Sequence, residues 1–157
     1  VLPRGRVGGN TTVCSKEIPV IALLLAAILS GPVQCAVDRV LDGDTVSATC
    51  AVWLGTEIKT LVRVRGIDTP EKAPRAKCPA EAALAIKATK LTKDALPPGT
   101  RIYISKIGED KYGGRVVADV VYDTPLVTGR WLSDQLIEAG LARKYDGGTK
   151  SSWCELP

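Results

Sequence analysis

From Val37 onward, apolar and polar residues alternate with a period near two over most of the chain. Val37–Leu41 reads as a strand, and Asp42-Gly43-Asp44 as the tight turn that ends it. Thr45–Trp53 and Ile58–Arg65 read as two further strands, joined through Leu54-Gly55-Thr56-Glu57. In the third strand Val62 and Val64 alternate with Arg63 and Arg65, which predicts one apolar face and one basic face. The period changes at Pro79–Leu96. That stretch is Ala-rich, has Pro at its first turn and is followed by Pro97-Pro98-Gly99, so it predicts the longest helix of the domain. Ile102–Ile107 and Val116–Tyr122 return to strand, around the turn-rich connection Gly108–Arg115. A short second helix, capped by Ser133, runs through Leu136-Ile137 and stops at Gly140. Five strands, a long helix after the third and a short one after the fifth point to an α+β domain. Its expected form is a five-stranded OB-fold β-barrel with two or three helices.

Ahead of the domain the pattern is different. Residues 1–19 hold Arg4, Arg6 and Lys16 against Glu17, then Val20–Leu29 is uninterruptedly apolar, then Ser30-Gly31-Pro32 breaks the run. A basic lead, a short apolar run and a breaker form a secretory signal pattern, with a cut near Cys35-Ala36. A spanning helix wants about 20 apolar residues, so the run is short for a permanent anchor. Residues 1–36 are therefore expected to be a signal peptide or an N-terminal membrane anchor, with 37–157 as the folded domain; a buried core helix is the third reading. The first implies an exported protein, periplasmic or secreted. The second implies a domain held outside the cytoplasm, touching membrane only through this segment.

Charge and cysteine content narrow the chemistry. The 157 residues carry 21 basic and 17 acidic side chains, a net of +4. Setting aside Arg4, Arg6, Lys16 and Glu17 leaves 18 basic and 16 acidic residues, too weak a balance to argue for nucleic acid by itself. There is no His. That excludes Ser-His-Asp and Cys-His nucleophiles, His-ligated zinc and imidazole bases, leaving carboxylates, Lys, Tyr, Arg or a hard metal held by oxygen. Of Cys50, Cys78 and Cys154, the pair expected to bond is Cys78 with Cys154, both at segment ends, leaving Cys50 free. Closing a loop of that length is worth about 4 kcal/mol in the chain-entropy picture. Lys87, Lys90 and Lys93 read as a solvated helix face, and Trp53, Trp131 and Trp153 as packing groups in a chain without Phe.

One constellation carries chemistry. If the second and third strands pair around Thr56, Asp44 falls opposite Asp68, delivering two carboxylates to one end of one ribbon. Like charges so placed need a cation, a shared proton or an Arg partner, and a hard divalent ion is the economical answer without His. Glu71 lies three residues past Asp68, within reach of a water, and Arg63 sits on the same ribbon. Either acidic segment alone reads better as a plain turn; their convergence with Glu71 and Arg63 tips the reading toward a site.

These residues resemble the thermonuclease (staphylococcal nuclease-like) family. The resemblance rests on Asp42-Gly43-Asp44-Thr45, Val62–Glu71, Asp110-Lys111-Tyr112-Gly113-Gly114-Arg115 and Gly140-Leu141-Ala142, in order and at fitting distances over about 37–145. It implies an OB-barrel with helices and Ca²⁺-dependent hydrolysis of DNA and RNA phosphodiesters. By motif, Asp44 and Asp68 would bind Ca²⁺ through carboxylates and Thr69 through its carbonyl, with Asp42 behind them. Glu71 would be the general base, Arg63 and Arg115 would hold the scissile phosphate, and Lys111 and Tyr112 a neighbouring one. DNA and RNA are the implied partners, for a chain expected to act as a monomer without an obligate protein partner. The sequence departs from the family at Tyr112-Gly113-Gly114-Arg115, where the usual loop is Tyr-Gly-Arg. One inserted residue restores Arg115; counting without it puts Gly114 there. Tyr145 alone is a candidate for base stacking, and the family's last helix is expected to be missing. A non-catalytic OB-fold nucleic-acid-binding module is the alternative, and a purely structural Ca²⁺ site a third reading.

Overall fold

A computed structural model describes residues 32–110, 113–123 and 129–154. The leader reading on residues 1–31 lies outside the described residues. Five long strands form the frame: β1 (Val33–Asp42), β2 (Thr45–Trp53), β3 (Thr56–Val64), β5 (Arg101–Glu109) and β6 (Arg115–Tyr122). β1 pairs antiparallel with β2 and β5, β2 with β3, and β5 with β6. A parallel ladder between β3 and β6 closes the barrel. This is the expected five-stranded OB-type barrel, and its closure removes the sheet edges. Short strands β4 (Ile67–Asp68) and β8 (Arg143–Lys144) pair with each other, and β7 (Arg130–Trp131) extends β6. Helices α1 (Pro79–Ala95) and α2 (Leu132–Glu138) are the two among the described residues. None of the described helices is long and apolar enough to cross a membrane.

The alternation read from the sequence becomes the barrel interior. Val37, Val46, Val62, Val64, Ile102 and Val120 are buried together, and Leu132 and Leu136 of α2 plug one side of the same core. Burying such side chains is worth about 1.5–3 kcal/mol each, the main source of stability in a domain this size. Ala85, Ala88 and Thr92 form the buried face of α1, whose small residues let it come close to the turn between β1 and β2. Thr92 Oγ1 donates to the Gly43 carbonyl at 2.7 Å. A Cβ on Gly43 would stand 2.8 Å from Ala88 Cβ and 3.2 Å from Thr69 Cγ2. Gly43 is thus required by close approach, since its φ is ordinary. Gly43→Ala is expected to cost about 1–3 kcal/mol, as overpacking does, read by urea denaturation.

Several expectations change. β2 and β3 pair as Thr45↔Arg63, Val46↔Val62 and Ser47↔Leu61, a register four residues tighter than the one that faced Asp44 with Asp68. The reason is the turn: Gly55 takes φ +73°, so the reversal is completed at Leu54-Gly55 rather than across four residues. Backbone Asp44 instead meets Val64, whose N–H donates to the Asp44 carbonyl at 2.8 Å. β1 begins at Val33, inside the stretch counted as leader, and Cys35 on it is bonded to Cys50 directly across β2. Cys50 is therefore not free. The Cys78–Cys154 bond is present as expected. Trp131 occupies the N-cap of α2, with no side-chain hydrogen bond capping the helix, and Ser133 lies within the helix. Of the three Trp residues only Trp153 is buried; Trp53 and Leu54 are 73% and 92% exposed at the hairpin tip.

Candidate functional site

A cleft of about 880 Å³ opens where β1 and β3 end and β6 begins, lined among others by Asp42, Asp44, Arg63, Thr69, Glu71 and Arg115. Strand geometry places the two arginines. In the parallel ladder Leu61 pairs with Arg115 and Arg63 with Val117, so Arg63 and Arg115 share the outward face while Val62, Val64 and Ala118 fill the core. The extra glycine does not move Arg115 away from the cleft. Gly113 and Gly114 adopt φ of +66° and +67°, a left-handed pair that brings the chain round so that Arg115 opens β6. Both arginines already face carboxylates. Arg63 Nη1 lies 2.7 Å from Asp44 Oδ2, and Arg115 Nε bonds Asp110 Oδ2. Lys111 and Tyr112 lie outside the described residues.

Asp44 is almost fully buried, with the Thr45 hydroxyl donating to its Oδ1 at 3.0 Å. Burial pushes its carboxyl up to about 6; Arg63 opposes that shift, while the Asp42 charge adds to it and the Thr45 and Thr69 hydroxyls oppose it. Asp42 Oδ1 is buried with no hydrogen-bond partner among the described residues. An orphaned carboxylate oxygen beside a second carboxylate raised chiefly by burial is an arrangement with anionic capacity to spare. All its donors are oxygens, which suits a hard divalent cation such as Ca²⁺. On the cleft wall Asp44 and Thr69, with Asp42 beside them, are the residues that would hold one.

Asp68 is not among the residues that line the cleft, and it is joined to Glu71 through Lys150. Gly66, at φ +77°, turns the chain out of β3, and β4 pairs Asp68 with Arg143 of β8. The Asp68 carboxylate is buried between two residues of the C-terminal segment: Trp153 Nε1 donates to Oδ2 at 3.1 Å, and Lys150 Nζ stands 2.6 Å from Oδ1. The same ammonium lies 3.3 Å from Glu71 Oε1, and Arg75 Nε lies 3.2 Å from Glu71 Oε2. Glu71 is thus half-exposed in the cleft between two cations. Its backbone is fixed as well, because Glu81 at the start of α1 accepts from the N–H groups of Glu71 and Lys77 at 3.2 and 2.7 Å. Tyr145 lines the cleft with its hydroxyl on the Gly148 carbonyl.

Sequence reasoning did not find Lys150, Trp153, Arg75 or Glu81. Trp153 had a usable signal, since it adjoins a cysteine expected to be tied back to the start of α1. Cys78, Glu81 and Cys154 also cluster, but both thiols are spent in the disulfide and leave no metal site there. The family model described as staphylococcal nuclease homologue matches residues 61–153, more than half of the chain. The match runs from β3 through Trp153, with Asp42 and Asp44 upstream of it. No individual curated protein matches.

Proposed function

The chain belongs to the staphylococcal nuclease homologue family, and from that premise we propose that it is an exported, calcium-dependent nuclease that hydrolyses DNA and RNA phosphodiesters with little sequence preference. The observation that carries this reading is the meeting of the Asp42–Asp44 turn, Glu71, Arg63 and Arg115 in one cleft. A phosphodiester is protected by its own charge and by a poor leaving group, so cleavage needs charge neutralisation, aligned donors and an activated water. Bound calcium would supply neutralisation of the phosphate and a more acidic water, held by Asp44, Asp68 and Thr69 with Asp42 behind them. Glu71 takes the water's proton on a carboxylate oxygen. Arg63 and Arg115 trade their present carboxylates for the phosphate oxygens, where planar guanidinium forks bind best and where charge grows in the transition state. Lys111 and Tyr112 hold a neighbouring phosphate. With contacts confined to phosphate, little base identity is read. Two disulfides fit an oxidising compartment, and a signal cut ahead of Val33 would keep Cys35 bonded to Cys50.

The test is cleavage of single-stranded DNA by the purified domain with Ca²⁺ and then with EGTA. Cleavage that calcium supports and chelation abolishes is the expected result. The non-catalytic binding module stands on one observation, that both arginines are engaged by carboxylates of the chain itself. A folded protein that binds oligonucleotide but cuts nothing in calcium would establish it instead. The pH dependence has a definite sign. The metal-free folded chain holds Asp44 protonated up to about pH 6, whereas an unfolded Asp titrates near 3.8. Metal-free stability should therefore fall as pH rises between those values, and calcium affinity should fall about tenfold per unit as pH drops below the upper one. Calorimetric titrations across that range check both.

A further inference from the structure

Residues Tyr145–Cys154 form a strap across the cleft, fastened at its start by the Tyr145 N–H on the Gly66 carbonyl and at its end by the Cys78–Cys154 bond. Arg143 ties it internally, donating to the Ser152 carbonyl at 2.7 Å and stacking 4.0 Å from the centre of the Trp153 ring. From this strap two side chains reach the same carboxylate, and they address different oxygens. We infer that the strap sets the cation affinity of the site through Asp68 in two opposed ways: Trp153 is a positioning residue that orients the carboxylate, and Lys150 is a tethered cation that competes for it. The inference rests on the reading of Asp68 as a metal ligand.

The physical argument is geometric. A carboxylate free to rotate loses affinity as a ligand, and hydrogen bonds from outside the metal's own shell fix it. Trp153 Nε1–H spends Asp68 Oδ2, buries it and leaves Oδ1 for a cation. That oxygen carries Lys150 Nζ at 2.6 Å, and the ammonium reaches on to Glu71 Oε1 at 3.3 Å. A lysine ammonium is a compact point charge on a flexible stem. Here it neutralises Asp68 and shares Glu71 with Arg75. A divalent ion arriving at Asp68 must displace it, so part of the binding free energy goes into breaking the Lys150 contact. Lys150 is exposed and its stem is not packed in the core, so it can swing away while the disulfide holds the rest of the strap.

The experiment is calcium calorimetry on the disulfide-bonded protein, comparing wild type with Trp153→Phe and Lys150→Met, alongside melting curves in EGTA. Phe keeps a ring for Arg143 to stack on and loses the N–H together with part of the buried indole's volume. Trp153→Phe is expected to weaken calcium binding about 10- to 100-fold, the usual range for removing such a support. Lys150→Met is expected to tighten it, by about fivefold or more, while lowering the melting temperature only in EGTA. A merely structural strap would move both variants in one direction. Shifts of the same sign, or no shift in Lys150→Met, would overturn the inference while wild-type binding left the calcium reading intact. If Trp153→Phe did not fold, Lys150→Met alone would decide, because a surface methionine leaves the core untouched. A folded wild type that bound no calcium would defeat the calcium reading and this inference with it.

Discussion

Glu71→Gln should lower kcat by about 10²–10⁴-fold while leaving oligonucleotide binding and calcium affinity within a few-fold of wild type. Gln occupies the same volume but cannot take a proton, so it removes the base and little else. The backbone support survives, because Glu81 holds the Glu71 N–H whatever the side chain. The contacts to Lys150 and Arg75 weaken from ion pairs to hydrogen bonds, but both are exposed pairs that contribute little to stability. Single-turnover cleavage and fluorescence-detected binding on the same preparation separate the two effects. Cleavage at the wild-type rate would remove Glu71 from the role of base. The next carboxylate to examine would then be Asp42, whose Oδ1 is buried without a partner among the described residues.

Arg63→Ala is expected to be the most damaging single substitution for the fold as well as for turnover. The Arg63 and Asp44 side chains are both largely buried at 2.7 Å, and removing one member strands the other beside Asp42. Breaking a buried pair in this way costs about 3–5 kcal/mol, most of it the stranded charge rather than the lost attraction. Urea denaturation in EGTA measures it. Two further results follow from the same physics. Asp44→Asn added to Arg63→Ala should recover most of the lost stability, because no buried charge is left. Calcium should stabilise Arg63→Ala more than wild type, since a cation replaces the guanidinium. Turnover should remain low in both cases, as the phosphate has lost a donor. If the loss of stability were no larger than that of a surface substitution, the Arg63–Asp44 pair would not be the anchor of the acidic turn.

The strands and helix α1 were legible because their signals are local. Alternation of Val62 and Val64 with Arg63 and Arg65 specifies which face of β3 turns inward wherever the strand ends up. Pro79 at the head and Pro97-Pro98-Gly99 behind Leu96 bound α1 to within a residue. The range of candidate chemistries was narrowed locally too: a chain without His, with acidic turns and a basic strand face, has few reactions open to it.

The register of β2 against β3 was not legible, because a four-residue shift keeps the same faces inward. Alternation does not distinguish the two, and the φ of Gly55 does. The partners of the charged groups lay still further from view. Which cation meets Asp68 is settled by a chain reversal at Gly66 and by a tail returned to the head of α1 by Cys78 and Cys154, 76 positions apart. Likewise Cys35, grouped with the leader by its position, meets Cys50 because β1 begins early enough to lie across from it. The sequence by itself therefore determined the barrel's elements and their inward faces and placed the candidate acidic and basic residues, all properties carried within a few consecutive residues. Only the tertiary structure decided which oxygen faces which cation, because those pairings depend on segments that meet through turns and cross-links rather than through neighbouring positions.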